Sequence, residues 1–238
     1  MTFYSIRSSG NKKTIGHYPQ IEKVTHNCHV WDDPKFIDRI QFEKAYFDPI
    51  VSIPSLFKSS KTTDLIHTVG IGFVGKLLVS GKLKTILENH RKTGLQFFKC
   101  PIVHREKRFD DYWCLNIFEF DMDFIDFRKS QFLGKMSKAE GGNFVQNLSF
   151  KSYKIFKENL EKKRELGFSQ LFISKVKLNP SISEDFFALQ HVEGTVKYIV
   201  SEKLKKLIEE TCTGIEFMPL EMTLSQWLQG GERKKIYG

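Results

Sequence analysis

The sequence has no stretch of about 18 apolar residues, which is the length that a membrane-spanning helix requires. It also has no positively charged leader followed by an apolar run and a small-residue cleavage site, so nothing in it indicates secretion. Its four cysteines, Cys28, Cys100, Cys114 and Cys212, lie far apart and form no CxxC pair, as is typical of reduced thiols. We therefore expect a cytoplasmic protein with no membrane partner.

Motifs that mark common catalytic sites are also missing. The sequence contains no GxSxG elbow, no HExxH motif and no GxxxxGK[ST] phosphate loop. Gly70-Ile-Gly-Phe-Val-Gly75 spells GxGxxG, but the apolar residues 76–79 behind it have the character of a strand. A dinucleotide fingerprint requires a helix at that position. We interpret the glycines as a flexible hairpin-like turn and expect no nucleotide cofactor.

Two short clusters contain candidate metal or acid–base ligands. Asp121, Asp123 and Asp126 could bind a divalent cation or act as an acid–base pair, but their run lacks the glycine and distal glutamate of calcium loops. His26-Asn-Cys-His29 places three ligands within four residues, and no second cluster of similar density follows. We interpret the first cluster as a structural turn and the second as a loop, and we expect no catalytic, cofactor-binding or metal-binding residues.

The charge is the most unusual part of the composition. The chain has 37 Lys and Arg against 28 Asp and Glu, a net charge of +9. Counted over residues 1–60, 61–140 and 141–238, the excess is 2, 4 and 3, so no basic arm stands apart. This distribution indicates a solvated lysine-rich surface, although it leaves acidic-protein and nucleic-acid partners open.

Two distant segments, residues 63–88 and 184–209, align without a gap. In each, an apolar run meets a serine, Ser80 or Ser201, which we predict to cap the helix that follows. Both helices have apolar residues spaced i, i+3, i+4 on one face, and we expect their lysines to face away. The copies realign at Gly94 and Gly214, where we expect each helix to stop.

The predicted fold class is α+β, with mixed sheets, short amphipathic helices and an internally duplicated strand–helix–strand unit. We expect residues 1–238 to form a single compact domain. Alternatively, it has two lobes, 1–135 with the first repeat (63–102) and 145–230 with the second repeat (184–221).

Local signals predict several further elements. These are a strand at 2–7, a short helix behind Asp33-Pro34, a buried strand at 112–120, a helix from 150 to 166, a strand at 168–176 and a frayed tail after Trp227.

At the duplicated unit the chain resembles a family of bacterial polymorphic-toxin immunity proteins, immunity family 11. The resembling motifs are Leu77-Leu-Val-Ser-Gly-Lys-Leu-Lys84, Tyr112-Trp-Cys-Leu-Asn-Ile117 with Ile125-Asp-Phe-Arg-Lys-Ser130, and Tyr198-Ile-Val-Ser-Glu-Lys-Leu-Lys205 running to Thr213-Gly-Ile-Glu-Phe217. The resemblance covers roughly residues 54–220. The resemblance implies an α+β immunity protein that binds a cognate toxin, encoded by a neighbouring gene, and blocks it by occlusion without catalysis.

Two alternatives remain at this point. A basic nucleic-acid-binding module would use the lysine-rich helices 81–91 and 202–210 beside exposed aromatic residues. An unrecognised enzyme would need a concave pocket that joins Asp121, Asp123 and Asp126 to histidines. The sequence identifies no partner-binding residues under any of these interpretations.

Overall fold

The computed structural model describes residues 2–137 and 141–238, and it confirms the α+β class with mixed sheets and short helices. The strands of the largest sheet are β1 (Phe3–Ser8), β10 (Gln131–Ser137), β11 (Asn143–Leu148), β12 (Gln170–Lys175), β13 (Phe186–Val192), β14 (Thr195–Ser201) and β15 (Ile215–Pro219). Their order is β11–β10–β12–β13–β14–β1–β15. The β12–β13 pair is parallel and the other neighbours are antiparallel.

Two smaller sheets complete the strands. One, in the order β2–β3–β7–β8, contains β2 (Ile21–Thr25), β3 (Ile53–Leu56), β7 (Ile102–His104) and β8 (Lys107–Phe109). The other, in the order β4–β5–β9–β6, contains β4 (Leu65–Ile66), β5 (Leu77–Ser80), β9 (Tyr112–Ile117) and β6 (Leu95–Lys99). The helices of the described ranges are α1 (Lys12–Ile15), α2 (Gly81–His90), α3 (Tyr153–Glu161), α4 (Glu202–Thr211), α5 (Leu224–Leu228) and α6 (Glu232–Tyr237), with 3₁₀ turns at Ile37–Ile40 and Met122–Phe124.

One apolar cluster joins the β4–β5–β9–β6 sheet to the large sheet. Leu83 and Leu87 of α2 and Leu204 and Ile208 of α4 are all fully buried in it. Each such side chain contributes about 1.5–3 kcal/mol when it leaves water. The i, i+4 spacing of these residues therefore determines which face of each helix packs inward.

Both predicted helix caps are confirmed. The Ser80 hydroxyl oxygen accepts a hydrogen bond from the backbone N–H three residues ahead at 3.3 Å, and Ser201 does the same at 3.2 Å. Each hydroxyl also donates to an aspartate sixteen residues earlier, Asp64 for Ser80 and Asp185 for Ser201. The caps therefore fix the first turn of α2 and α4, and they tie each helix to the residue just before β4 or β13, the strand that pairs with the one leading into the helix.

The two segments with similar sequences also have similar strand pairings. The order β4–β5–β9–β6 has the same antiparallel neighbours as β13–β14–β1–β15, with β9 in the place of β1. Lys84 Nζ lies 4.8 Å from the Trp113 ring centre, and Lys205 Nζ lies 5.0 Å from that of Tyr4. These matching contacts support an internal duplication, which stays a prediction, as do the lobes at 1–135 and 145–230. They also show that these two lysines pack against aromatic rings, whereas the sequence predicted that they face away.

The predicted glycine stops are wrong in position. α2 ends at His90 and α4 at Thr211, before Gly94 and Gly214. The residue after each helix is already extended, with φ of −149° and −120°, so the helix has ended when the chain reaches the glycine. Both glycines have positive φ, 76° and 80°, and they shape the turn into the next strand.

The predicted helix behind Asp33-Pro34 is a single 3₁₀ turn, Ile37–Ile40, with no side-chain cap. The Asp33 carboxylate accepts from the Lys35 backbone N–H instead, which forms a local turn before the helical residues.

The C-terminal tail is ordered, so the prediction of fraying after Trp227 is wrong. Trp227 is fully buried, and α6 follows it. Arg233 of α6 donates two hydrogen bonds of 2.6 Å to the buried carboxylate of Glu216 in β15. The Tyr237 hydroxyl accepts from the Phe217 backbone N–H at 2.9 Å. These contacts are between residues distant in sequence, which the composition of the tail does not reveal.

Candidate functional site

The acidic cluster has structural partners. Asp121 forms an ion pair with Arg91 and accepts from the Ala188 backbone N–H at 2.9 Å. Asp126 accepts from the backbone N–H groups of Arg128 and Lys129, at 3.1 and 3.2 Å. Asp123 and Asp126 line a cleft of about 250 Å³ whose lining residues include no histidine. The structure therefore supports the interpretation of this run as a structural turn.

The histidine–cysteine cluster is spread over a loop. His26 Nδ1 lies 2.8 Å from Ser52 Oγ, and His29 Nδ1 lies 2.7 Å from an Asp32 carboxylate oxygen. Among residues 2–137 and 141–238, no group of three or more His, Cys, Asp or Glu side chains is arranged to hold a metal ion.

The GxGxxG motif is the turn that its sequence predicted. Gly70, Gly72 and Gly75 have positive φ of 84°, 93° and 68° between β4 and β5, and no helix opens behind them. A Cβ atom on Gly72 would lie 2.1 Å from Ser52 Oγ, and its backbone N–H donates to Asp38 at 2.6 Å. Gly72 and Gly75 are therefore required for close packing of this turn against the preceding loop, whereas a Cβ atom on Gly70 would have open space.

The lysines of α2 and α4 are paired with carboxylates. The pairs are Lys82–Asp64 at 3.2 Å, Lys84–Glu88 at 2.7 Å, Lys203–Asp185 at 3.7 Å, Lys205–Glu209 at 2.8 Å and Lys206–Glu202 at 3.8 Å. Such exposed pairs add at most about 1 kcal/mol each to stability. They nevertheless cancel much of the local positive field, so these two helices make a weak nucleic-acid surface.

Positive charge is concentrated instead in one continuous part of the chain. Residues 128–177 contain 12 Lys and Arg against 4 Asp and Glu, a net charge of +8 out of +9 for the whole chain. The count over residues 1–60, 61–140 and 141–238 did not reveal this concentration, because the boundary at residue 140 divides the segment. The segment contains β10, β11, α3 and β12, which lie at one end of the large sheet.

The helix α3 presents basic side chains to solvent because its other face is anchored. Phe156 is fully buried, with ring centres 5.2 Å from Phe132 and 5.3 Å from Phe150. Lys154 and Lys157 point outward and are exposed. The ion pairs that the described part of this segment forms involve its two ends, Lys129–Asp126 and Lys177–Glu221. The cations of α3 are therefore available to a partner.

The strand β11 forms an open edge of the large sheet beside this helix. It pairs with β10 on one side and is the terminal strand on the other. All residues from 143 to 147 are exposed, including Phe144 at 53% and Val145 at 48%. Residues 141–150 contain no charged side chain and no proline. Natural edge strands are usually protected by charges, proline or a covering segment, so an edge of this composition is suited to pairing with another strand.

A cleft lies where β11 leads into α3. Its volume is about 360 Å³, and Arg128 and Lys151 line it together with Ser149 and Phe150. Both basic residues are exposed, and each can donate hydrogen bonds to a carboxylate. We call β11, α3 and this cleft the basic edge surface. The signal in the sequence that could have revealed it is the uncharged run 141–150 inside the most basic segment.

The fold and this surface define an α+β protein whose most distinctive feature is an open, uncharged sheet edge inside a basic segment. The chain belongs to the immunity protein family Imm11, whose family model matches residues 2–176. That match includes the first predicted repeat and the basic edge surface, and it begins and ends earlier than the span of 54–220 expected from the motifs. No curated protein matches the sequence. In the described ranges, no helix combines the length and apolarity needed to cross a bilayer.

Proposed function

We propose that this protein is a bacterial immunity protein that binds and neutralises a cognate toxin inside the producing cell by occlusion, without catalysis. Membership of the Imm11 immunity family is the observation that carries the proposal. The proposed location is the cytoplasm, because an immunity protein must meet the toxin where the toxin is made. The proposed partner is the toxin encoded by a neighbouring gene.

The charge of the basic edge surface supports binding of a protein with an acidic face. Complementary fields increase the rate at which two proteins meet, by up to about 10³-fold at low salt. A rapid encounter suits an inhibitor that must capture its target before damage occurs. A toxin whose own active site is basic, as in many nucleases, would meet this surface with like charge and fits it less well.

A nucleic-acid-binding module is the second candidate, and the net charge of +8 over residues 128–177 is the observation that favours it. Binding through phosphate contacts would weaken steeply with salt, because it depends on the release of counterions. The paired lysines of α2 and α4 reduce support for this alternative.

Co-expression tests the proposal. The toxin gene adjacent to this one is induced in a host cell with and without the immunity gene, and growth is followed. The tagged immunity protein is then purified at low and at moderate salt. We expect growth to be restored and the toxin polypeptide to be retained at moderate salt. Growth arrest despite normal accumulation of the immunity protein would contradict the proposal, and nucleic acid that elutes with salt in place of the toxin would favour the alternative.

A further inference from the structure

We propose that β11 is the docking strand of this protein, and that an extended segment of an acidic toxin domain pairs with its open edge, attracted by the basic side chains of residues 128–177. This inference rests on the proposed function and names the surface through which it acts. Strand addition of this kind takes its affinity from backbone hydrogen bonds and its specificity from the side chains on either side.

The strand register shows which backbone groups are open. The Lys135 carbonyl in β10 accepts from the Ser169 N–H at 2.7 Å, so Lys135 faces the β12 side of its strand. Backbone groups alternate in direction along a strand, and the neighbours of Lys135 therefore face β11. Their partners in β11 are residues 144 and 146. The N–H and C=O groups of Asn143, Val145 and Asn147 consequently point away from the sheet.

The same register shows which face of the sheet α3 covers. Phe144 pairs with Met136, and Leu148 pairs with Phe132, whose ring packs against Phe156 of α3. Because alternate residues share a face, Phe144 lies on the α3 side of the sheet. A strand added to β11 would direct every second side chain towards this face, which also carries the exposed Lys154 and Lys157.

The positive charge of this segment favours an acidic polypeptide over a second copy of the chain or a nucleic acid. A second copy of this chain, paired edge to edge through β11, would bring two segments of net charge +8 together, which is unfavourable. Nucleic acid would be attracted to the basic segment 128–177, but its backbone does not complete a β-sheet, and the ten uncharged residues 141–150 offer no cation to its phosphates. An acidic polypeptide matches both the open edge and the positive charge of the segment around it.

Two variants separate the two parts of the surface. Val145→Pro removes an outward N–H and the fit of an added strand, while the ladder to β10 does not use that N–H. The double variant Lys154→Glu/Lys157→Glu replaces the two exposed lysines of α3 with acidic side chains. Its matched control is Lys203→Glu/Lys206→Glu on α4, which changes the net charge equally at exposed lysines that are already paired. Thermal unfolding of each variant checks that it is folded.

The affinity of each purified variant for the purified toxin domain is measured by calorimetry. We expect Val145→Pro to weaken binding about 100-fold, equivalent to ~2.7 kcal/mol, and the α3 double variant to weaken it by about tenfold or more, with the α4 control within about twofold of wild type. Equal binding by Val145→Pro and wild type would overturn the docking strand and leave the immunity function standing. If Val145→Pro does not fold, Asn147→Pro, which also removes an outward N–H, takes its place with the same expected loss of affinity.

Two further measurements address the other partners. Sedimentation of the free protein as a dimer that Val145→Pro dissociates would overturn the proposal in favour of self-association. Displacement of the toxin domain by duplex DNA of random sequence would overturn it in favour of a nucleic-acid surface. A wild-type protein that does not bind the toxin at all would contradict the proposed function itself.

Discussion

Replacing Arg233 with methionine tests whether one buried ion pair holds the C-terminal helix in place. The Glu216 side chain is 3% exposed and accepts from Ser9 Oγ and the Gly10 N–H, both at 2.8 Å, as well as from Arg233. Burial alone would raise the pKa of Glu216, but the hydrogen bonds from Arg233, Ser9 and Gly10 outweigh burial and hold that pKa below its ordinary value. The carboxylate is therefore charged and depends on its donors.

The expected loss follows from what remains after the substitution. Removing one partner of a buried ion pair costs about 3–5 kcal/mol, because the other charge is left without compensation. Here Glu216 keeps two donors, and the Arg233 side chain is 21% exposed, so we expect a loss at or just below the lower limit of this range, about 2–3 kcal/mol at neutral pH. The exposed Lys234 on the same helix provides the matched control, and Lys234→Met should change stability by less than about 0.5 kcal/mol.

Urea unfolding gives the free energy, and hydrogen exchange shows where the loss occurs. The amides of α5 and α6 should exchange faster in Arg233→Met than in wild type. A carboxyl group whose pKa is lower in the folded than in the unfolded state stabilises the folded protein at pH above its unfolded pKa. That stabilisation is lost as the pH falls through its folded pKa. The difference between wild type and Arg233→Met should therefore shrink as the pH falls below about 4.5, the ordinary value for glutamate. The reasoning would be refuted if Arg233→Met lost no more unfolding free energy than Lys234→Met, or if the amides of α6 exchanged at the wild-type rate.

Three further predictions concern single positions. Removing a cap hydroxyl should lower the free energy of unfolding, measured in urea, by about 2 kcal/mol for Ser201→Ala and about 1 kcal/mol for Ser80→Ala, because Ser201 is fully buried and Ser80 is not. Equal losses in the two variants would contradict the role of burial. Gly214→Ala should lower the free energy of unfolding by about 2–4 kcal/mol, because its Cβ would lie 2.4 Å from the Thr63 side chain at a φ of 80°. Gly194→Ala has a similar φ of 76° but open space around the new Cβ, so its loss should be only about 1–2 kcal/mol. Burial, with a smaller effect of a nearby lysine, lowers the pKa of His191 to about 4, so its unfolded form takes up protons first. Stability should therefore fall, by up to about 3 kcal/mol, as pH drops from about 6.5 to about 4, and His191→Asn should flatten this part of the stability–pH curve; an unchanged slope would show that another group titrates there.

Part of the candidate site could have been predicted from the sequence. The charge of residues 128–177 and the uncharged run 141–150 are both visible there, but a division of the chain at residue 140 hid the first and no motif marked the second. The edge position of β11 cannot be predicted from its own residues, because it depends on whether another strand pairs with its second side. Only the order of the sheet shows that β10 has β12 as its other neighbour.

The sequence alone determined the features that depend on contacts between residues close together in the chain. Ser80 and Ser201 accept from an N–H three residues ahead, and Gly70–Gly75 form a turn, because the side chains that decide these conformations are adjacent. The tertiary structure decided the rest, including the insertion of β1 between β14 and β15 and the ordering of the tail by Arg233. These contacts join residues far apart in the chain, so they depend on how the whole chain closes and on which surfaces it buries together.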